Sequence, residues 1–158
     1  MCMSSGVTWA QVQAAILPWL PPIVTLAGWA VLNGQNNRRE LRKEERALVD
    51  GAKKLVTEVS KTALEYMCAA DRNEGAEADI KLTLDQVEIE LGRLPRYESE
   101  GVLVTAMAQF ADAATGGDFE SHTKTAATRG DPGPQRLVLA RNELLSKLED
   151  LFSERYHR

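Results

Sequence analysis

The sequence predicts an all-α protein: one N-terminal transmembrane helix followed by a cytoplasmic antiparallel bundle of about four helices, the first long and continuous with the span. Three observations carry that prediction. Residues 1–37 contain no Lys, Arg, Asp or Glu. Residues 38–54 then carry seven basic side chains against four acidic ones. Beyond them, amphipathic stretches alternate with turn-forming residues in a net acidic chain. At 158 residues there is room for one domain and an appendage.

The span is assigned to residues 10–35, behind a short external N-terminus at 1–9. From Ala10 to Leu32 there are 23 uncharged residues, enough helix at 1.5 Å per residue to cross a hydrocarbon core of ~30 Å. Nine of them are Val, Ile or Leu, favouring insertion by roughly 3–5 kcal/mol. Trp9 and Trp29 suit the two interfacial aromatic belts. Pro18, Pro21 and Pro22 remove backbone donors and predict a kink. An alternative starts the true helix at Pro18–Pro22, with Thr8–Leu17 lying in the interface. A cleaved export signal fits less well, because no basic residue precedes the apolar run. A buried soluble helix would have to hold a Pro-Pro pair in mid-run.

Charge sets the expected orientation. The basic cluster Arg38, Arg39, Arg42, Lys43 and Arg46 follows the span and none precedes it. The positive-inside rule then places the N-terminus outside and the C-terminal body in the cytoplasm, at a bacterial inner (cytoplasmic) membrane. These side chains, with Trp9 and Trp29, are the candidate interface anchors, and anionic lipid headgroups near residues 38–46 are the expected partners. Interleaved Glu40, Glu44 and Glu45 argue against nucleic acid. The arrangement resembles the general form of many bacterial and phage membrane proteins, a likeness of architecture without a diagnostic motif.

The bundle is assigned to residues 36–158. Its first helix leaves the membrane with Leu41, Leu48, Leu55 and Thr62 repeating by seven. Ala52, Val59 and Tyr66 lie on the same side, and Val49, Val56 and Ala63 widen the stripe. "DRNEGAEAD" reads as a turn. Ile80, Leu84, Val87, Leu91 and Leu94 then follow at helical spacing and outweigh a competing strand-like alternation, and Pro95 ends the stretch. A third helix, 99–115, carries Leu103, Met107, Phe110 and Ala114. After a long polar loop at 115–131, Asp131-Pro132 reads as a helix start. The last helix, roughly 133–156, carries Leu137, Leu144, Leu148 and Leu151.

Chemistry is sparse. Phosphate-cradling loops, HExxH, GxSxG and paired CxxC motifs do not occur, so neither a cofactor nor a metal is expected. Asp118, Phe119, Glu120 and His122 form the candidate partner loop, and Asp118, Glu120 and His122 are the residues an enzyme would use. Pairs such as Asp85 with Glu88 and Glu149 with Asp150 read as solvated faces. The sequence thus predicts a non-enzymatic, single-pass tether, adaptor or regulatory module that binds a protein partner or itself. The runner-up is an oligomerising, membrane-perturbing effector of holin-like or toxin-like kind. An enzyme using the 118–122 loop comes third.

Overall fold

The computed structural model describes residues 20–95, 97 and 101–156. Four helices occur among them and no strand: α1 (Leu20–Cys68), α2 (Glu74–Gly92), α3 (Gly101–Thr115) and α4 (Pro132–Tyr156). The chain divides into two compact units, Met1–Arg42 and Lys43–Arg158.

In the first unit the described residues belong to α1. Pro21 and Pro22 lie on α1, whose described part begins at Leu20. Pro18 and Trp9 lie outside the described residues, as do positions 10–19 of the expected span. Trp29 and Leu32 are 64% and 62% exposed. Among the described residues no helix is long and apolar enough to cross a membrane.

The second unit holds the core. On α1 its seam is Val49, Ala52, Val56, Val59, Ala63 and Tyr66, spaced alternately by three and four as one face of a helix requires. The leucine heptad expected to lead this face instead flanks it. Leu48 and Leu55 pack half-buried against the core, and Leu41 is 55% exposed. Small and β-branched side chains at the centre let neighbouring helices approach closely, with the longer leucines filling the edges.

Helix α2 starts earlier than "DRNEGAEAD" suggested. The Asn73 side chain caps it by accepting from Ala76 N at 3.1 Å, and Glu74 and Glu77 complement the dipole in the first turn. Its expected apolar face, Ile80, Leu84, Val87, Leu91 and Leu94, is buried throughout. Leu103, Met107, Phe110 and Ala114 of α3 are buried with it, as are Leu137, Leu144 and Leu148 of α4. Leu151 and Phe152 pack at the margin.

Polar contacts fix the direction of α4 against the second unit's part of α1. Glu45 meets Arg155 at 2.9 Å and accepts from Tyr156 Oη at 2.5 Å, while Arg46 meets Glu149 at 2.9 Å. At the opposite end Ala127, just ahead of α4, donates its N–H to Met67 O at 3.0 Å. The two helices therefore run antiparallel.

Candidate functional site

The loop at 116–131 is bound to the end of α1, and its attachment follows from a helix-terminus problem. A helix leaves its last carbonyls without intrahelical partners, and α1 has no basic residue in its last turn to meet them. Lys124 fills that place from the loop. Its ammonium donates to Tyr66 O, and to Ala69 O at 2.5 Å. It also lies 4.2 Å from the Tyr66 ring centroid, a favourable cation–π distance. Positive charge here complements the negative end of the helix dipole.

Tyr66 is the centre of this attachment. Its hydroxyl donates to Glu77 Oε1 at 2.6 Å. Arg72 clamps the same carboxylate with two charge-assisted bonds, Nε to Oε1 and Nη2 to Oε2, both 2.9 Å. These bonds, the Arg72 one foremost and the Tyr66 one second, hold the Glu77 carboxyl down at about 2. Burial, and then the bond to Glu77, pushes the Tyr66 phenol above its ordinary value.

The expected partner loop takes part in this network with each side chain directed to its own contact. Phe119 packs edge-on to Tyr66 with ring centroids 5.4 Å apart. Glu120 pairs with Lys81 of α2 at 2.5 Å. Arg72 Nη1 lies 3.2 Å from His122 Nδ1. Asp118 accepts from Thr125 N at 3.3 Å. The carboxylate, carboxylate and imidazole that alternate in sequence therefore do not converge on one reacting point.

Between the loop, the end of α1, the end of α3 and the start of α4 lies a hollow of about 320 Å³. Side-chain-poor segments leave it open. Gly116 is pressed so close to Asp112 that a Cβ would come within 2.7 Å of the Asp112 carbonyl oxygen, and Gly117 takes φ +70°. Pro132-Gly133-Pro134 form the other rim. Tyr66, Met67, Ala113 and Phe119 give it an apolar lining, with Asp118, Lys124 and Asp131 among the charged groups.

A second polar cluster joins α1 to α4. Glu149 accepts two bonds from Arg46, at 2.9 and 3.1 Å, and one from Lys53. The Arg46 bonds first, and the Lys53 bond second, draw its carboxyl down to about 2. The Arg46 guanidinium also lies 5.1 Å from the Phe152 ring centroid. Arg46, expected at a lipid interface, is thus engaged by the bundle, and Glu149 is not the freely solvated face the sequence suggested. Arg38, Arg39, Arg42 and Lys43 are exposed.

Comparison of the chain with protein-family models, with curated proteins and with solved structures finds no match in any of the three.

Sequence reasoning passed over Arg72, Glu77 and Lys124. The available signal was local: Arg72 and Glu77 bracket the Asn73 cap, five residues apart. Nothing in the pattern pointed to Lys124, whose partners Tyr66 and Ala69 lie more than fifty positions away.

Proposed function

We propose that the chain is a membrane-tethered, non-enzymatic helical module, anchored through its uncharged N-terminal run and holding a protein partner on its bundle at the cytoplasmic face. The observation that carries this reading is the apolar surface that α1 exposes in the first unit, where Trp29 and Leu32 are 64% and 62% exposed. Water does not favour such a surface, and a bilayer does. The exposed Arg38, Arg39, Arg42 and Lys43 follow at the place where anionic headgroups lie, each contributing ~1 kcal/mol near an anionic surface.

Carbonate extraction of cells expressing the full chain tests the tether. The chain is expected in the pellet; recovery in the supernatant would overturn the reading. Labelling of Cys2 by an impermeant maleimide on intact cells would support the external N-terminus.

An oligomerising, membrane-perturbing effector is the second reading. Gly28 supports it, because a Cβ there would meet nothing within 4 Å among the described residues, and bare helix backbone allows a second helix to approach closely. Membrane potential after induction separates the two. Depolarisation favours the effector, and an intact potential favours the tether.

A further inference from the structure

The hollow at the loop end of the bundle is not needed by the tether, and its charge and shape select a ligand class. At about 320 Å³ it has room for on the order of ten non-hydrogen atoms, taking ~30 Å³ for each water-sized group. That is the lower end of the range of small-molecule sites, and its mixture of apolar walls and a few polar groups is the usual composition of one.

Most of its charged groups are already engaged. Asp112 and Arg136 pair with each other at 2.9 Å. Lys124 turns its ammonium to the α1 carbonyls and the Tyr66 ring. Asp118 and Asp131 are different: the bonds they accept come from single backbone N–H groups, of Thr125 and Thr128. An ionised carboxylate has about four acceptor positions, so both retain capacity toward a donor in the hollow.

The start of α4 does not redirect the site to anions. A helix N-terminus attracts them through its free N–H groups. Here two of the first three residues are proline and have no N–H to offer. Gln135 N is spent on Asp131 O at 3.2 Å.

We propose that this hollow binds a small apolar molecule bearing a protonated amine, its body against Met67, Ala113 and Phe119 and its ammonium held by Asp118 and Asp131. Titrating the full chain with phenethylamine, 3-phenylpropionate and 2-phenylethanol tests this, using three probes of similar size and different charge. The readout is the methyl NMR signals of Met67, Ala113 and Ala127, with buried Ala52 as internal reference. Phenethylamine is expected to give saturable shifts with an affinity about tenfold above the other two, the difference a charge-assisted hydrogen bond supplies. Asp118→Asn and Asp131→Asn should each reduce that preference. Asp118→Asn keeps an acceptor for Thr125 N and leaves the start of α4 untouched, so it answers even where Asp131→Asn fails to fold. Gly133→Leu, whose Cβ meets open space, should weaken all three probes. No saturable shift, equal affinity for the three probes, or a preference unchanged in Asp118→Asn would overturn the proposal.

Discussion

Tyr66 and Glu77 meet across the turn between α1 and α2, the phenol donating to the carboxylate at 2.6 Å. The same Tyr66 gives its ring face to Lys124, meets the Phe119 ring in a T-shaped contact and gives its carbonyl oxygen to Lys124. One buried side chain thereby joins α1, α2 and the loop at 116–131. Loss of its hydroxyl separates the polar part of that junction from the apolar part.

Tyr66→Phe keeps the ring and removes the bond to Glu77. Arg72 still holds the carboxylate, so Glu77 is left underbonded but not unpaired. A loss of about 1–2 kcal/mol is expected. Urea unfolding should show it as a lower midpoint at an unchanged m-value. A midpoint equal to wild type would mean that water replaces the phenol at no cost.

Two carboxyls set the acid limb of stability. Glu77 and Glu149 are both lowered from 4.5 to about 2 in the folded chain, each first by an arginine bond. The folded state then binds fewer protons than the unfolded one. Their contribution is complete above about 4.5 and is lost as the pH falls toward about 2. Stability measured from pH 7 to 2 should fall through that window. Glu77→Gln and Glu149→Gln should each lower stability at pH 7 and flatten the acid limb. For Glu149 the effect shrinks in high salt, because Glu149 and its partner Arg46 are both about two-fifths exposed.

The apolar interior gives a sharper contrast. Phe110 is fully buried on α3, whereas Ile89 on the outer face of α2 is 58% exposed. Phe110→Ala removes packed volume and is expected to cost about 3–5 kcal/mol. Ile89→Ala should stay within about 0.5 kcal/mol of wild type. Paired thermal melts check both, and near-equal midpoints would mean that Phe110 is not at the centre of the core.

Helical spacing made the bundle legible. Every member of the Ile80–Leu94 face is buried, because side chains three and four apart share a helix face whatever the tertiary partner. Periodicity alone did not fix the phase of α1. Leu48 and Val49 both recur by seven, and only the neighbouring helices decide that Val49 points in and Leu48 lies beside it. The start of α2 was hidden because Glu74 and Gly75 resemble a turn until Asn73 is seen to cap them. The ion pairs were illegible for a different reason. Lys53 and Glu149 are 96 positions apart, and on their own helices each looks like an ordinary solvated charge. The Asp118–His122 segment drew notice for its alternating chemistry, yet the decisive residue nearby was Lys124, whose role depends on where α1 ends.

Lys124 is therefore the residue whose removal should release the loop while leaving the core intact. Lys124→Met preserves most of the stem that crosses Tyr66 and deletes the ammonium, so the Tyr66 and Ala69 carbonyls lose their donor and the end of α1 loses its compensating charge. The expected cost is about 1–2 kcal/mol, the upper part of the range for a cation at a helix C-terminus. More telling than the magnitude is where it falls. Amide exchange at Ala127, whose N–H bonds Met67 O, should accelerate markedly, because opening the loop exposes it. Exchange at Val56 and Val59, deep in the α1 seam, should change only by the loss in global stability. Equal acceleration at all three positions would mean that the loop and the bundle unfold as one unit, and that Lys124 supports the whole fold rather than the attachment of the loop.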